Sequence, residues 1–257
     1  MTACNAAILQ SGNLFMFTVH NPVRWIDPSG LNLRAFAEAN NGTILWNETT
    51  RTATVTVNGV TQQFRDGDPG VRINRYGTRV VNDTALNVFN RSPQLGAGNW
   101  FISSAGAATN FAVHNNTPTF TDNRERGSYI FQRNFDGVTL YTYLNMPPGG
   151  HNHVIPHAVF GGGSDRIVGD DRGMRGDAMA FVHTHPSCYC HSGTTFSLAD
   201  EWLARRIGTT VYLAGTHGNL YAFDSLGGRR PDPVATGLPL PTHRFPRPSP
   251  PRIPPRT

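Results

Sequence analysis

The chain has 257 residues and a formal net charge of +5, and all 22 of its basic residues are arginines. That length fits one sizeable domain with a smaller region beside it. No run approaches the roughly 20 apolar residues of a membrane span, so no membrane-spanning helix is expected. Much of the basic excess lies in a Pro- and Arg-rich tail over 229–257, without arginines interleaved among aromatic residues, so no nucleic-acid surface is expected. The tail composition predicts a disordered segment.

The first motif in chain order runs from Pro22 to Leu31 and follows the pattern P-x-x-x-x-D-P-x-G-L. This pattern resembles the segment that closes the repeat-associated core of bacterial Rhs (YD-repeat) proteins, where a variable toxin domain follows. The resemblance implies that 1–31 is the end of such a core, and that the protein is secreted or delivered into a target cell as part of a larger Rhs protein. It also implies a matching immunity protein. An ordinary turn at Asp-Pro-Ser-Gly is the alternative.

The region 32–97 is predicted to be a small β-rich linker. Segments 43–46 and 53–57 are apolar and β-branched, and Asn58-Gly59 between 53–57 and 60–64 is a strong hairpin signal. With a further strand at 71–74, the pattern predicts a three-stranded meander that serves as a spacer or as a platform for a partner.

Regular elements of both kinds follow in the predicted main domain, 98–228. An apolar stripe near the helical period predicts a helix over 98–114, and Asn134 to Gly137 predicts the turn of a hairpin. The remaining predictions are strands at 128–133, 138–144, 179–183, 210–213 and 220–223, a Gly-rich loop at 145–177, and a helix at 197–207.

A candidate metal site follows the strand at 179–183. His183 and His185 are two residues apart, and side chains two apart point to the same face of a strand, so both rings can face one ion. Ser197 is a candidate N-cap, and Asp200 lies one turn into the helix that it starts. Two imidazoles, one carboxylate and a water would form an open, tetrahedral zinc site of the catalytic kind.

The pattern H-x-H-P followed by S-x-x-D resembles the JAMM (JAB/MPN) metalloprotease family, as found in JAMM-like domains at the C-terminal ends of Rhs proteins. That family also has an upstream Glu at the entry to a strand, closely followed by Gly. Of the four glutamates, Glu125 fits this position, with Gly127 after it. The ten residues between Pro186 and Ser197 are more than the family usually has there, which leaves the ligand types intact.

The resemblance implies a fold, an activity and a role for each residue. The fold would be α/β (α+β), a JAMM-like mixed sheet with flanking helices. Zn²⁺ would be held by His183, His185 and Asp200, and Glu125 would act as general base on the attacking water. Ser197 would donate a hydrogen bond to the oxyanion. The substrate would be a protein or peptide, with ubiquitin-like tags as one class of isopeptide substrate.

Other interpretations of the same residues stay open. The domain can be a non-catalytic JAMM-like binding module in a secreted repeat protein, or a metal-dependent hydrolase of another substrate class. Cys188 and Cys190 with His191 can form a second metal site, compete for the zinc, or supply a nucleophile. A further group with metal-like spacing lies in the Gly/Pro-rich loop and comprises His151, His153 and His157.

Overall fold

The structure is a computed structural model that describes residues 32–73, 79–135, 137–145, 147–150, 167–169, 175–186, 195–230 and 232–240. Several sequence predictions lie outside these residues: the Rhs-like segment 1–31, the histidines of 151–157, the group at 188–191, and the tail from 241 onwards. Within the described residues, no helix is both long enough and apolar enough to cross a membrane.

The described chain contains four helices and twelve strands, with most strands in consecutive runs. In chain order the elements are α1 (Asn32–Ala39), β1 (Thr43–Asn47), β2 (Thr52–Val57), β3 (Val60–Arg65), β4 (Val71–Ile73), β5 (Arg79–Val81), α2 (Asn87–Asn90), α3 (Ser104–Asp122), β6 (Gly127–Phe135), β7 (Val138–Tyr143), β8 (Ile167–Gly169), β9 (Arg175–Thr184), α4 (Leu198–Ile207), β10 (Thr210–Ala214), β11 (Leu220–Asp224) and β12 (Gly228–Arg229).

The main sheet is mixed and carries a helix on each face. Its strand order is β12-β11-β10-β9-β6-β7, with β8 also paired to β9. Only the β9–β10 pair is parallel among these pairings, and α4 forms its crossover. Alternate residues of β9 face opposite sides: Val182 packs in the core that contains α3, and Phe181 packs in the cluster that contains α4. The predicted α/β class is confirmed.

The region before the main sheet forms a three-stranded sheet, β1-β2-β3, a separate pair, β4-β5, and the helix α1. Helix α1 was not expected from the sequence, although Leu33, Phe36 and Ala37 have the i, i+3, i+4 spacing of one helical face and are fully buried. A single buried cluster extends from Leu33 to Leu238. The segments 32–97 and 98–228 therefore pack together.

Helix α3 begins and ends later than the predicted 98–114. It begins after Ser103, whose Oγ accepts a hydrogen bond from the Gly106 amide at 2.8 Å. Before it, residues 97–98 form a turn, and Phe101 forms a β-bridge with Tyr141 of β7. The helix continues beyond 114 and includes Pro118. Tertiary contacts hold this last part, including a 2.6 Å hydrogen bond between the hydroxyls of Thr119 and Thr184.

The disordered tail was predicted to begin at residue 229, but ordered residues continue beyond that position. Arg229 belongs to β12, and the Leu220 amide donates to the Ala235 carbonyl at 2.8 Å. Leu238 is 4% exposed and belongs to the main core. The composition of 229–257 is dominated by its Pro- and Arg-rich end, which concealed the apolar residues that pack in 232–240.

Leu238→Ala is expected to lower the free energy of unfolding by about 2–5 kcal/mol, because it leaves a cavity in the core. The matched control is Leu240→Ala, since Leu240 is 43% exposed and lies two residues further along the same segment. Denaturant unfolding of both variants measures the difference. Equal, small effects would show that 232–240 does not contribute to the core.

Candidate metal centre

The end of strand β9 brings two histidine rings together below the surface. His183 is the partner of Gly127 in β6 and of Leu213 in β10, so it is held from both sides. His185 follows the end of the strand, and its amide donates to the Ala214 carbonyl at 3.3 Å. The two Nε2 atoms are 3.2 Å apart, and both residues are buried. The prediction that both rings face one point is confirmed.

Asp200 reaches this point from the first turn of α4. Ser197 is the N-cap of that helix and forms a capping box with Asp200. Asp200 Oδ2 accepts hydrogen bonds from the Ser197 amide at 2.7 Å and from the Ser197 hydroxyl at 2.8 Å. Its other oxygen, Oδ1, lies 3.2 Å from His183 Nε2. The cap therefore fixes one carboxylate oxygen and turns the other towards the histidines.

Glu125 lies beside the same group, two residues before β6 begins. Its Oε1 is 3.9 Å from His185 Nε2, and the residue is 8% exposed. The Glu125 backbone is held on both sides, because its amide donates to the Gly150 carbonyl at 2.9 Å and its carbonyl accepts from the Gly149 amide at 2.8 Å. The structure thus places all five residues predicted for the site around one point.

Thr184, between the two histidines, is a contact that sequence reasoning did not find. Its amide donates to the Arg126 carbonyl at 2.9 Å, and its hydroxyl accepts from the Arg126 amide at 3.1 Å. Thr119 of α3 bonds the same hydroxyl. These contacts fix the entry of β6, and hence Glu125, against the histidines. The H-T-H spacing contained the signal, since the middle residue of such a segment must face the opposite side of the sheet.

His183 and Asp200 shift each other's pKa values in opposite directions. Burial lowers the pKa of His183, but the Asp200 carboxylate, the Glu125 charge and the Tyr212 carbonyl raise it by more. Burial raises the pKa of Asp200, but the His183 ring and the hydrogen bonds from Ser197 bring it well below its usual range. Asp200 is therefore ionised at neutral pH and offers a negative charge to a cation.

The donor atoms of His183, His185 and Asp200 fit a metal ion. Donors about 2.0–2.1 Å from a tetrahedral zinc are about 3.3 Å from one another. The closest His183–His185 and His183–Asp200 separations are both 3.2 Å, and His185 Nε2 is 3.9 Å from Asp200 Oδ2. One ligand atom from each residue lies within 4.8 Å of the others. The group can therefore hold one metal ion without rearrangement of the backbone.

Comparisons with known proteins add no assignment to this geometry. No family model matches the chain, and neither the curated proteins nor the solved structures contain a significant match.

Replacing His183 and His185 together by Ala is expected to abolish stoichiometric metal binding, because two of the three donor atoms are lost. Elemental analysis of the purified full chain after loading and dialysis measures the metal content. His217→Ala is the control, since His217 is exposed and outside the group. Full occupancy in the double variant would assign the metal to other residues, with Cys188, Cys190 and His191 as the first to test.

Ser197→Ala is expected to weaken metal binding about 10–100-fold, because it frees the carboxylate that Ser197 orients. It should also cost about 0.5–2 kcal/mol of stability through loss of the cap. Ser103→Ala, which removes the cap of α3, is the control: it should cost at least as much stability, because it also loses the bond to Asp83, and should leave the metal affinity unchanged. An unchanged affinity in Ser197→Ala would show that the cap does not position Asp200.

Proposed function

We propose that the chain carries a zinc-dependent peptidase or isopeptidase of the JAMM type, acting as the effector domain of an Rhs-type secreted protein. The observation that carries the proposal is the position of Glu125. Its carboxylate lies 3.9 Å from a ring nitrogen of the buried His183–His185–Asp200 group. A structural metal site has no need of a further carboxylate at this distance, whereas a hydrolytic site needs a base there.

The donor set supports zinc as the metal. Two imidazoles and one carboxylate are a ligand set of catalytic zinc sites, which keep a fourth position for water or substrate. When bound, zinc supplies the positive charge that activates water as a nucleophile and polarises the scissile carbonyl. The His183 and His185 rings must be neutral at the nitrogens that face the ion, so acid is expected to release the metal.

Glu125 and Ser197 have distinct tasks in this proposal. Glu125 accepts a proton from the attacking water and returns it to the leaving amine, and its burial keeps bulk water away from the transfer. The Ser197 hydroxyl donates to Asp200 Oδ2 in this structure, so it orients that carboxylate. Rotation of the same hydroxyl would allow it to donate to the oxyanion of the substrate.

The polypeptide substrate of this proposal rests on the JAMM resemblance, since the exposed apolar residues of α4 do not mark a substrate groove. Leu198 and Trp202 are exposed and lie one turn apart on α4, the helix that carries Asp200. Because residues two apart on a helix do not share a face, these apolar side chains do not line the metal centre. The JAMM resemblance extends the proposal to isopeptide bonds of ubiquitin-like tags, and the Rhs resemblance to an immunity protein that blocks the site.

Glu125→Gln is expected to retain zinc and fold but to lower the rate of cleavage by about 10²–10⁴-fold, the usual contribution of a general base. The amide keeps the shape of the side chain but cannot accept the proton. The experiment compares zinc content, thermal midpoint and cleavage of peptide- and isopeptide-linked substrates for both proteins.

Glu201→Gln is the matched control, because Glu201 follows Asp200 on α4 and is not part of the donor group. It should cleave as fast as the unmodified chain. If Glu125→Gln also cleaves at the full rate, Glu125 is not the base. If the zinc-loaded chain cleaves nothing on a broad panel of substrates, a binding module replaces the peptidase.

A further inference from the structure

A polar pocket lies away from the metal centre, between α2, the start of α3 and the segment 233–236. Its volume is about 260 Å³. Asp83 and Asn90 line one part of it, and Ala105, Val234 and Ala235 line another. The pocket thus combines oxygen acceptors with a short apolar wall.

Asp83 brings a carboxylate to this pocket without a basic partner among the described residues. Both of its carboxylate oxygens accept from the Ser103 hydroxyl, at 2.5 and 2.6 Å. The residue as a whole is half-buried, and burial of the carboxyl group raises the pKa of Asp83. The N-terminus of α3 compensates part of the charge, since a helix terminus carries about half an elementary charge. The rest of the negative charge on Asp83 has no counter-ion among the described residues.

Asn90 adds an acceptor that lacks a donor. The residue is 3% exposed, and its Oδ1 has no hydrogen-bond partner among the residues that the structure describes. The amide orientation follows from Asp83, because Asn90 Nδ2 lies 3.5 Å from both the carbonyl oxygen and Oδ1 of that residue. Turning the amide over would place oxygen against oxygen. A buried acceptor of this kind is costly unless a ligand or a water molecule supplies a donor.

Arg91 also lines the pocket, but its guanidinium is engaged elsewhere. It donates to the carbonyls of Thr236 and Gly237 and to the side chain of Asn87. These bonds tie the segment 233–236 to α2 and so form a wall of the pocket. Within the described part of the chain, Asp83 is left without a cationic partner and Asn90 Oδ1 without a donor.

We propose that this pocket binds a primary alkylammonium group, with the ammonium on Asp83 and Asn90 Oδ1 and the alkyl chain against Ala105 and Val234. An ammonium has three donors and one positive charge, which supply what both side chains lack. A bare Ca²⁺ ion needs six to eight oxygen ligands, and two side chains are too few. The chain contains no lysine, so such a group on a side chain must come from another molecule.

The first test is titration of the full chain with n-butylammonium chloride at constant ionic strength. Calorimetry measures the binding, and the shift of the thermal midpoint measures the stabilisation. Saturable binding is expected, and Asp83→Asn should weaken it about tenfold or more, because the charge-assisted bond is lost. Asp68→Asn, which neutralises an exposed carboxylate, should bind like the unmodified chain. Equal binding by Asp83→Asn would overturn the proposal.

Two further arms separate the chemistry and the source of the ligand. Tetramethylammonium has no N–H donor and should not bind, and equal binding of tetramethylammonium would overturn the proposal. The proposal would also be overturned if Ca²⁺ bound in a way that needs Asp83 while butylammonium did not bind. Nα-acetyl-lysine amide tests whether a lysine side chain of a protein is accepted as well as a free amine.

Backbone NMR shifts keep the test independent of variant folding. The amides of Asp83, Asn90 and Gly106 should shift on titration of the unmodified chain, and shifts confined to other regions would overturn the proposal. The His183→Ala, His185→Ala double variant should bind butylammonium unchanged. If the peptidase proposal fails, the alkylammonium proposal can still stand. If the alkylammonium proposal fails, the peptidase proposal can still stand.

Discussion

Strand β9 pairs with β6 on one side and with β10 on the other, and the position of every other group in the metal centre depends on this register. His183 stands opposite Gly127 and Leu213 at once. Because side chains alternate along a strand, a slip of one residue would turn both histidines to the α3 face and bring Thr184 to the α4 face. The two pairings hold the register in place from both edges.

The two faces of β9 position different groups of the site. On one face the histidines meet Asp200, which the capping box of α4 orients. On the other face Thr184 bonds Thr119 of α3 and the Arg126 backbone, which fixes the entry of β6 and hence Glu125. Asp200 is therefore positioned by α4, and the candidate base is positioned through α3. Buried groups with defined partners on both sides give a preformed site.

The sequence predicted the parts of the site that depend on local geometry. Strand periodicity placed His183 and His185 on one face, and cap chemistry placed Asp200 one turn beyond Ser197. The position of Glu125 rested on a family pattern, because no local rule links it to residues so far along the chain. Helix α3 was misplaced for a related reason: its later turns are held by tertiary contacts such as Thr119 with Thr184. The bond from Ser197 to Asp200 Oδ2 depends on side-chain rotamers, which the sequence does not determine.

The crossover from β9 to β10 has a consequence for how the chain folds. All three candidate ligands lie in β9, directly after it and in the first turn of α4, so few residues separate them along the chain. Glu125 requires the pairing of β6 with β9, which joins Arg126 to Thr184 across a separation of 58 residues. Longer loops close at greater entropic cost and more slowly. A refolding chain is therefore expected to bring the three candidate ligands together before Glu125 reaches them, in two separable kinetic phases.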